Sequence, residues 1–142
     1  MSGSSPARLY AALVGGALVV VGIIGFFYDA SFGTGNDLDT DDVLGILAVN
    51  GWHNLVHIAT GLLGLAAAGY AARTYALALG LAYLLIAIWG FIEAENGFGA
   101  ILEVIPVNTE DNFLHLILGL TGLAAGAATP KAERPLSPAA GP

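Results

Sequence analysis

The stretch VNGWHNLVHIATGLLGLAA (residues 49–67) returns in the same chain as VNTEDNFLHLILGLTGLAA (residues 107–125). All ten identities lie at one offset of 58 residues: Val49 with Val107, Asn50 with Asn108, Asn54 with Asn112, His57 with His115, Gly61-Leu62 with Gly119-Leu120, and Gly64-Leu65-Ala66-Ala67 with Gly122-Leu123-Ala124-Ala125. Shared composition alone does not produce that many. Working outward, the short apolar segments 43–48 and 101–106 align at the same offset, and a second pair of segments aligns at 65, matching Tyr10 with Tyr75, Gly15 with Gly80, and Gly25-Phe26 with Gly90-Phe91. The difference is an insert of seven residues in the first loop, in the Asp-rich stretch around 36–40. Each repeat therefore reads as a helix, a loop carrying a short apolar segment, and a second helix. An even number of helices per repeat sets both copies the same way up, related by a pseudo-two-fold axis.

Composition gives the solvent of these helices. Of the 142 residues, 56% are hydrophobic and 11% charged, with a mean hydropathy of +0.77; an ordinary soluble domain carries roughly 25% charged residues. Four apolar stretches, residues 9–28, 51–70, 75–93 and 109–128, approach the roughly 20 helical residues that cross a hydrocarbon core. They are continuous and lack the period of two that a membrane β-barrel requires. The expected fold is an all-α integral membrane protein, a four-transmembrane-helix bundle built from two tandem parallel two-helix repeats. Residues 1–8 form an N-terminal tail, 9–128 the membrane domain (repeat one about 9–70, repeat two about 75–128) and 129–142 a disordered tail. The outer segments 43–48 and 101–106 are too short to span, so they are expected to lie in the interface or dip back as caps over the bundle.

The basic residues set the orientation. Arg8, Arg73, Lys131 and Arg134 are the only four, and they fall in the N-terminus, the tight turn between repeats and the C-terminal tail. Ten of the eleven acids lie at or between the opposite helix ends. By the positive-inside rule both termini of this multi-pass chain face the cytoplasm, and the acidic loops face outward. Tyr10, Tyr70 and Tyr75 then mark the inner interface, and Trp52, Trp89 and Phe91 the outer one. Asp37, Asp39, Asp41 and Asp42 do not follow an EF-hand spacing and read as a hydrated loop. A net charge of -7 with so few cations excludes nucleic acid as a partner. The absence of cysteine excludes disulfides, thiolate catalysis and thiolate metal sites.

Candidate chemistry is confined to one stripe. On the second helix Asn50, His53, Asn54, His57, Gly61 and Gly64 share a face, and on the fourth so do Asn108, Asp111, Asn112, His115, Gly119 and Gly122. The two faces are expected to meet near the axis. Asn50 and Asn108 read as helix caps. Asn54, His57, Asn112 and His115 form a candidate polar pocket, and His57, His115, His53 and Asp111 are candidate metal or haem ligands. The same pocket would also admit a quinone or a moving proton, or serve as a hydrogen-bond network fixing helix register. No catalytic motif is present: the chain has no phosphate loop, no Ser-His-Asp arrangement and no His-Glu-x-x-His.

The doubled pattern Val-Asn-x3-Asn-x2-His-x3-Gly-Leu-x-Gly-Leu-Ala-Ala resembles the prokaryotic membrane family known as domain of unknown function 4383, over roughly residues 8–128. That resemblance implies a four-helix integral membrane protein and carries over no catalytic residue. A looser architectural similarity links the chain to DoxX-type four-helix membrane proteins, some of them tied to respiratory or thiol-redox systems. The leading expectation is a small non-enzymatic structural or interaction component of the cytoplasmic membrane, with lipid, further copies or other membrane proteins as partners. The alternatives are a haem-, metal- or quinone-binding redox subunit and an oligomeric transporter or channel.

Overall fold

In the computed structural model, which describes residues 4–94 and 96–131, Ser5 opens the first helix, α1 (Pro6–Gly25). Its hydroxyl accepts from the Arg8 amide, and Pro6 sits in the first turn, where a missing N–H costs nothing. After a short 3-10 turn at Gly35–Asp37 the chain forms β1 (Asp41–Val43), β2 (Leu47–Val49) and α2 (Gly51–Ala67). The second half repeats the order: α3 (Ala72–Glu93), β3 (Phe98–Ile101), β4 (Ile105–Asn108) and α4 (Thr109–Ala128). The expected disordered tail falls mostly on residues 132–142, outside the described residues, and Glu95 and residues 1–3 also lie outside them.

The expectation of an all-α chain is corrected here: the fold is mostly helical, but the segments 43–48 and 101–106 belong to two antiparallel hairpins, β1 with β2 and β3 with β4. Their turns explain them. Leu44 and Gly45 have φ of 55° and 70°, Leu102 and Glu103 have 56° and 57°, and the amides of Ile46 and Val104 close the turns onto the Val43 and Ile101 carbonyls. Two successive left-handed residues give the turn whose twist matches a tight hairpin. Val49, Ala48, Val107 and Pro106 are buried beneath, so the hairpins cover one end of the helices. The tight turn between α2 and α3, the start of α1 and the end of α4 occupy the other end.

Helices pair within each half. A Cβ added to Gly15 would lie 2.8 Å from the Gly61 carbonyl oxygen, and one on Gly61 would lie 2.6 Å from the Gly15 oxygen, so α1 and α2 touch backbone to backbone. Gly80 and Gly119 join α3 to α4 in the same way, their added Cβ atoms 2.6 Å from the Leu123 nitrogen and 2.7 Å from the Leu84 nitrogen. The small faces of α2 and α4 were expected to meet each other; Gly61 and Gly119 are used instead against the preceding helix of their own half, because only a glycine-lined groove admits a backbone that closely, while Gly64 and Gly122 seat Tyr75 and Tyr10 from the opposite half. Between halves, α1 and α3 meet at the turn end around Ala7, Tyr10 and Ala76.

The contacts recur in pairs. The Tyr10 hydroxyl donates to the Leu118 carbonyl (2.8 Å) and Tyr75 donates to Thr60 (3.0 Å), each crossing from one half to the other. Both tyrosines turn inward rather than marking an interface. Arg8 donates to the terminal carbonyls of α2 at Ala68 and Gly69, and Arg73 to Thr129 after α4, a favourable place for a cation. Large apolar side chains point outward on every helix, among them Leu13, Leu63, Ile92 and Ile117, while Asn50, Asn54 and Asn112 are among the largest fully buried side chains. Two helices, α1 and α3, are long and apolar enough to cross a membrane.

Candidate functional site

Asparagine fits the start of α2 and α4 because one side chain can serve two purposes. The Asn50 oxygen accepts from the His53 amide (2.9 Å), and its amide group donates to the Val104 carbonyl in the turn of the other half's hairpin (2.8 Å). Asn108 does the same: it caps the Asp111 amide (2.9 Å) and donates to the Ile46 carbonyl (2.7 Å). Each cap is thereby also a clasp onto the opposite half. Asp111 completes a capping box, its Oδ2 accepting from the Asn108 amide (3.1 Å) and from the Ala48 amide of the first hairpin (2.9 Å).

Ala48 is gripped from the other side by His53, whose Nδ1 donates to the Ala48 carbonyl (2.9 Å). A carbonyl only accepts, so the proton sits on Nδ1 and the lone pair on Nε2. One turn further into the bundle lies His57, its ring centroid 4.4 Å from that of His53, and from α4 comes His115, 6.1 Å from His53. The three rings are 2%, 7% and 4% exposed. One nitrogen of each comes within 4.8 Å of the other two. Tyr83 of α3 stacks on His115 at 5.1 Å and 22° between planes. The Nδ1 atoms of His57 and His115 are buried and have no protein partner.

The two asparagines placed with these histidines by the sequence are set apart from them. Asn54 packs against Gly25 and donates to the Asp29 carbonyl (2.8 Å), and Asn112 packs against Gly90. A Cβ on either glycine would overlap the asparagine amide oxygen. Asp111 has its Oδ2 engaged in the hairpin clasp. The structure thus gathers His53, His57 and His115, with Asp111 reaching them through Ala48. Tyr83 and the two glycine seats were missed in the sequence, although the recurrence of Gly25-Phe26 as Gly90-Phe91 was the available signal for the seats.

Two cavities adjoin the rings. One, of about 430 Å3, lies between α1 and α4 and is lined by Leu13, Val14 and Leu18 with His57, Asp111 and His115. The other, about 110 Å3, lies between α2 and α3 beside all three histidines, Thr60 and Tyr83. Three neutral imidazoles in apolar surroundings can hydrogen-bond to a ligand or supply nitrogen donors to a metal ion.

The family model described as Domain of unknown function (DUF4383) matches residues 8–128, a span that contains every residue of this site. No curated protein and no solved structure matches the chain. The comparisons do not show a likeness to DoxX-type proteins.

Proposed function

The chain belongs to the DUF4383 family, and from that premise we propose that it is a four-span integral protein of the cytoplasmic membrane, a structural or interaction component that holds its parts in place rather than turning over a substrate. The observation that carries the reading is the distribution of side chains. All four helices present large apolar residues outward around an interior of glycine, asparagine and histidine, the reverse of a soluble core. In lipid, polar groups turn toward the bundle and small residues let backbones approach. α2, with 17 residues, extends about 26 Å at 1.5 Å per residue, and the hairpin before it covers that end of the bundle with Leu44 and Ile46 exposed.

Both termini would face the cytoplasm and the acidic hairpin end the outside, in keeping with the basic residues at the turn end. The chain contains no cysteine, so single introduced cysteines report sidedness cleanly. Asn36→Cys is expected to react with a membrane-impermeant maleimide in intact cells, and Lys131→Cys only after permeabilisation. The opposite pattern would overturn the orientation, and labelling of both in intact cells would overturn the even span count. Substrate turnover by the purified protein that disappears in His57→Ala would overturn the non-catalytic role.

A further inference from the structure

We propose that His53, His57 and His115 form a three-nitrogen site for a transition-metal ion that prefers imidazole, zinc or cuprous copper. The three donors come from two helices in different halves of the molecule and converge to within 4.8 Å of one another. A metal bound at about 2.0–2.1 Å sets neighbouring nitrogens about 3.3–3.6 Å apart, so the cluster closes onto an ion by drawing in by about 1 Å.

The surroundings favour an ion over a satisfied network. His53 is already oriented as a metal-bound histidine is: its Nδ1–H donates to the Ala48 carbonyl, which leaves Nε2 as the nitrogen that would bind, with the Pro106 carbonyl also against the ring. His57 and His115 have no comparable anchor, and their Nδ1 atoms are buried without a protein partner. Unpartnered buried nitrogens are costly, and a metal bond at Nδ1 would give each of these atoms its partner. Ala48 is itself held by Asp111. Asp111 therefore acts on the site as a positioning residue through the hairpin, and it also lines the cavity that His57 and His115 line.

The donor set also selects the ion. Magnesium and calcium demand oxygen ligands, and the cluster offers only nitrogen. Octahedral iron or nickel would need three more donors, whereas the adjoining walls are mostly Leu, Val and Ile, and of their oxygen-bearing side chains Asp111 is engaged by two backbone amides and Thr60 by the Val56 carbonyl. Zinc and cuprous copper accept three or four ligands. Haem held between His57 and His115 is not accommodated, because His53 rests against the His57 ring and close to His115, leaving no space for a porphyrin.

Untagged full-length protein in detergent, stripped with a chelator and dialysed against Zn2+ or, anaerobically with reductant, Cu+, is expected to retain about one ion per chain by elemental analysis. Its melting temperature should rise with that ion and not with Mg2+. Retention of zinc alone or copper alone names the ion. His53→Ala, His57→Ala and His115→Ala should each lose the ion. Asp111→Asn should bind roughly tenfold more weakly with all three ligands intact. Folded wild-type protein that stays metal-free and is not stabilised by either ion would overturn the proposal, whatever the variants do. So would undiminished binding by the triple alanine variant. Neither result bears on the span count, which the cysteine labelling decides separately.

Discussion

At the scale of single residues, the departures from exact repetition have a physical reason. Ala48 offers its amide to Asp111 across the molecule. The equivalent of Ala48 in the second half is Pro106, and the equivalent of Asp111 in the first is His53. Proline has no N–H, so a carboxylate at position 53 would find no donor there, and histidine, which donates to a carbonyl, replaces it. Asp111→Ala would leave two amides without acceptors, those of Asn108 and of fully buried Ala48. A loss of about 2 kcal/mol in unfolding free energy is expected, and denaturant or thermal unfolding in detergent measures it. Gly25→Ala should also destabilise by displacing Asn54. Gly16→Ala, where an added Cβ meets nothing within 4 Å, should be neutral to slightly stabilising. The sequence placed Asn54 and Asn112 with the histidines because they share a broad helical face. Positions 54 and 57 are about 60° apart around a helix, wide enough for asparagine to face the paired helix while histidine faces the axis.

At the scale of elements, helix ends were legible where caps define them. Thr109–Ala128 coincides with the apolar stretch read from the sequence, since Asn108 and the Asp111 capping box fix its start. α1 begins earlier than its apolar run because Ser5 and Pro6 set the boundary. The hairpins were not legible. Their strands are three or four residues long, and the turns are Leu44-Gly45 and Leu102-Glu103, neither carrying the Asn-Gly or Asp-Gly pair that announces such a turn and the second carrying no glycine at all. Asn108→Ala removes both a cap and a bond to the Ile46 carbonyl. It is expected to cost about 1 kcal/mol for the cap alone, and more once the clasp is counted. Asn108→Ser, which can cap but cannot reach across, separates the two contributions in the same unfolding measurement. If serine restores all the stability, the clasp contributes nothing.

At the scale of the whole molecule, the duplication told the sequence reader that two halves exist but not how they meet. The small stripes hold each helix pair together, and the halves are joined by polar reach: Tyr10 and Tyr75 from the turn end to the Leu118 and Thr60 carbonyls, Asn50, Asn108 and Asp111 at the hairpin end. Helical periodicity identifies which residues share a face but not which neighbour that face meets, so the pairing of α1 with α2 and of α3 with α4 lay beyond it. The reciprocal clasp has a consequence for how the molecule is made. During synthesis the first half emerges with the Asn50 amide still lacking the Val104 carbonyl, and with the Ala48 amide lacking Asp111. Its hairpin end is complete only when the last helix arrives. A chain cut in the turn at residues 68–71 should therefore yield two fragments that are unstable when expressed alone and accumulate together when co-expressed, each acting as the missing template for the other.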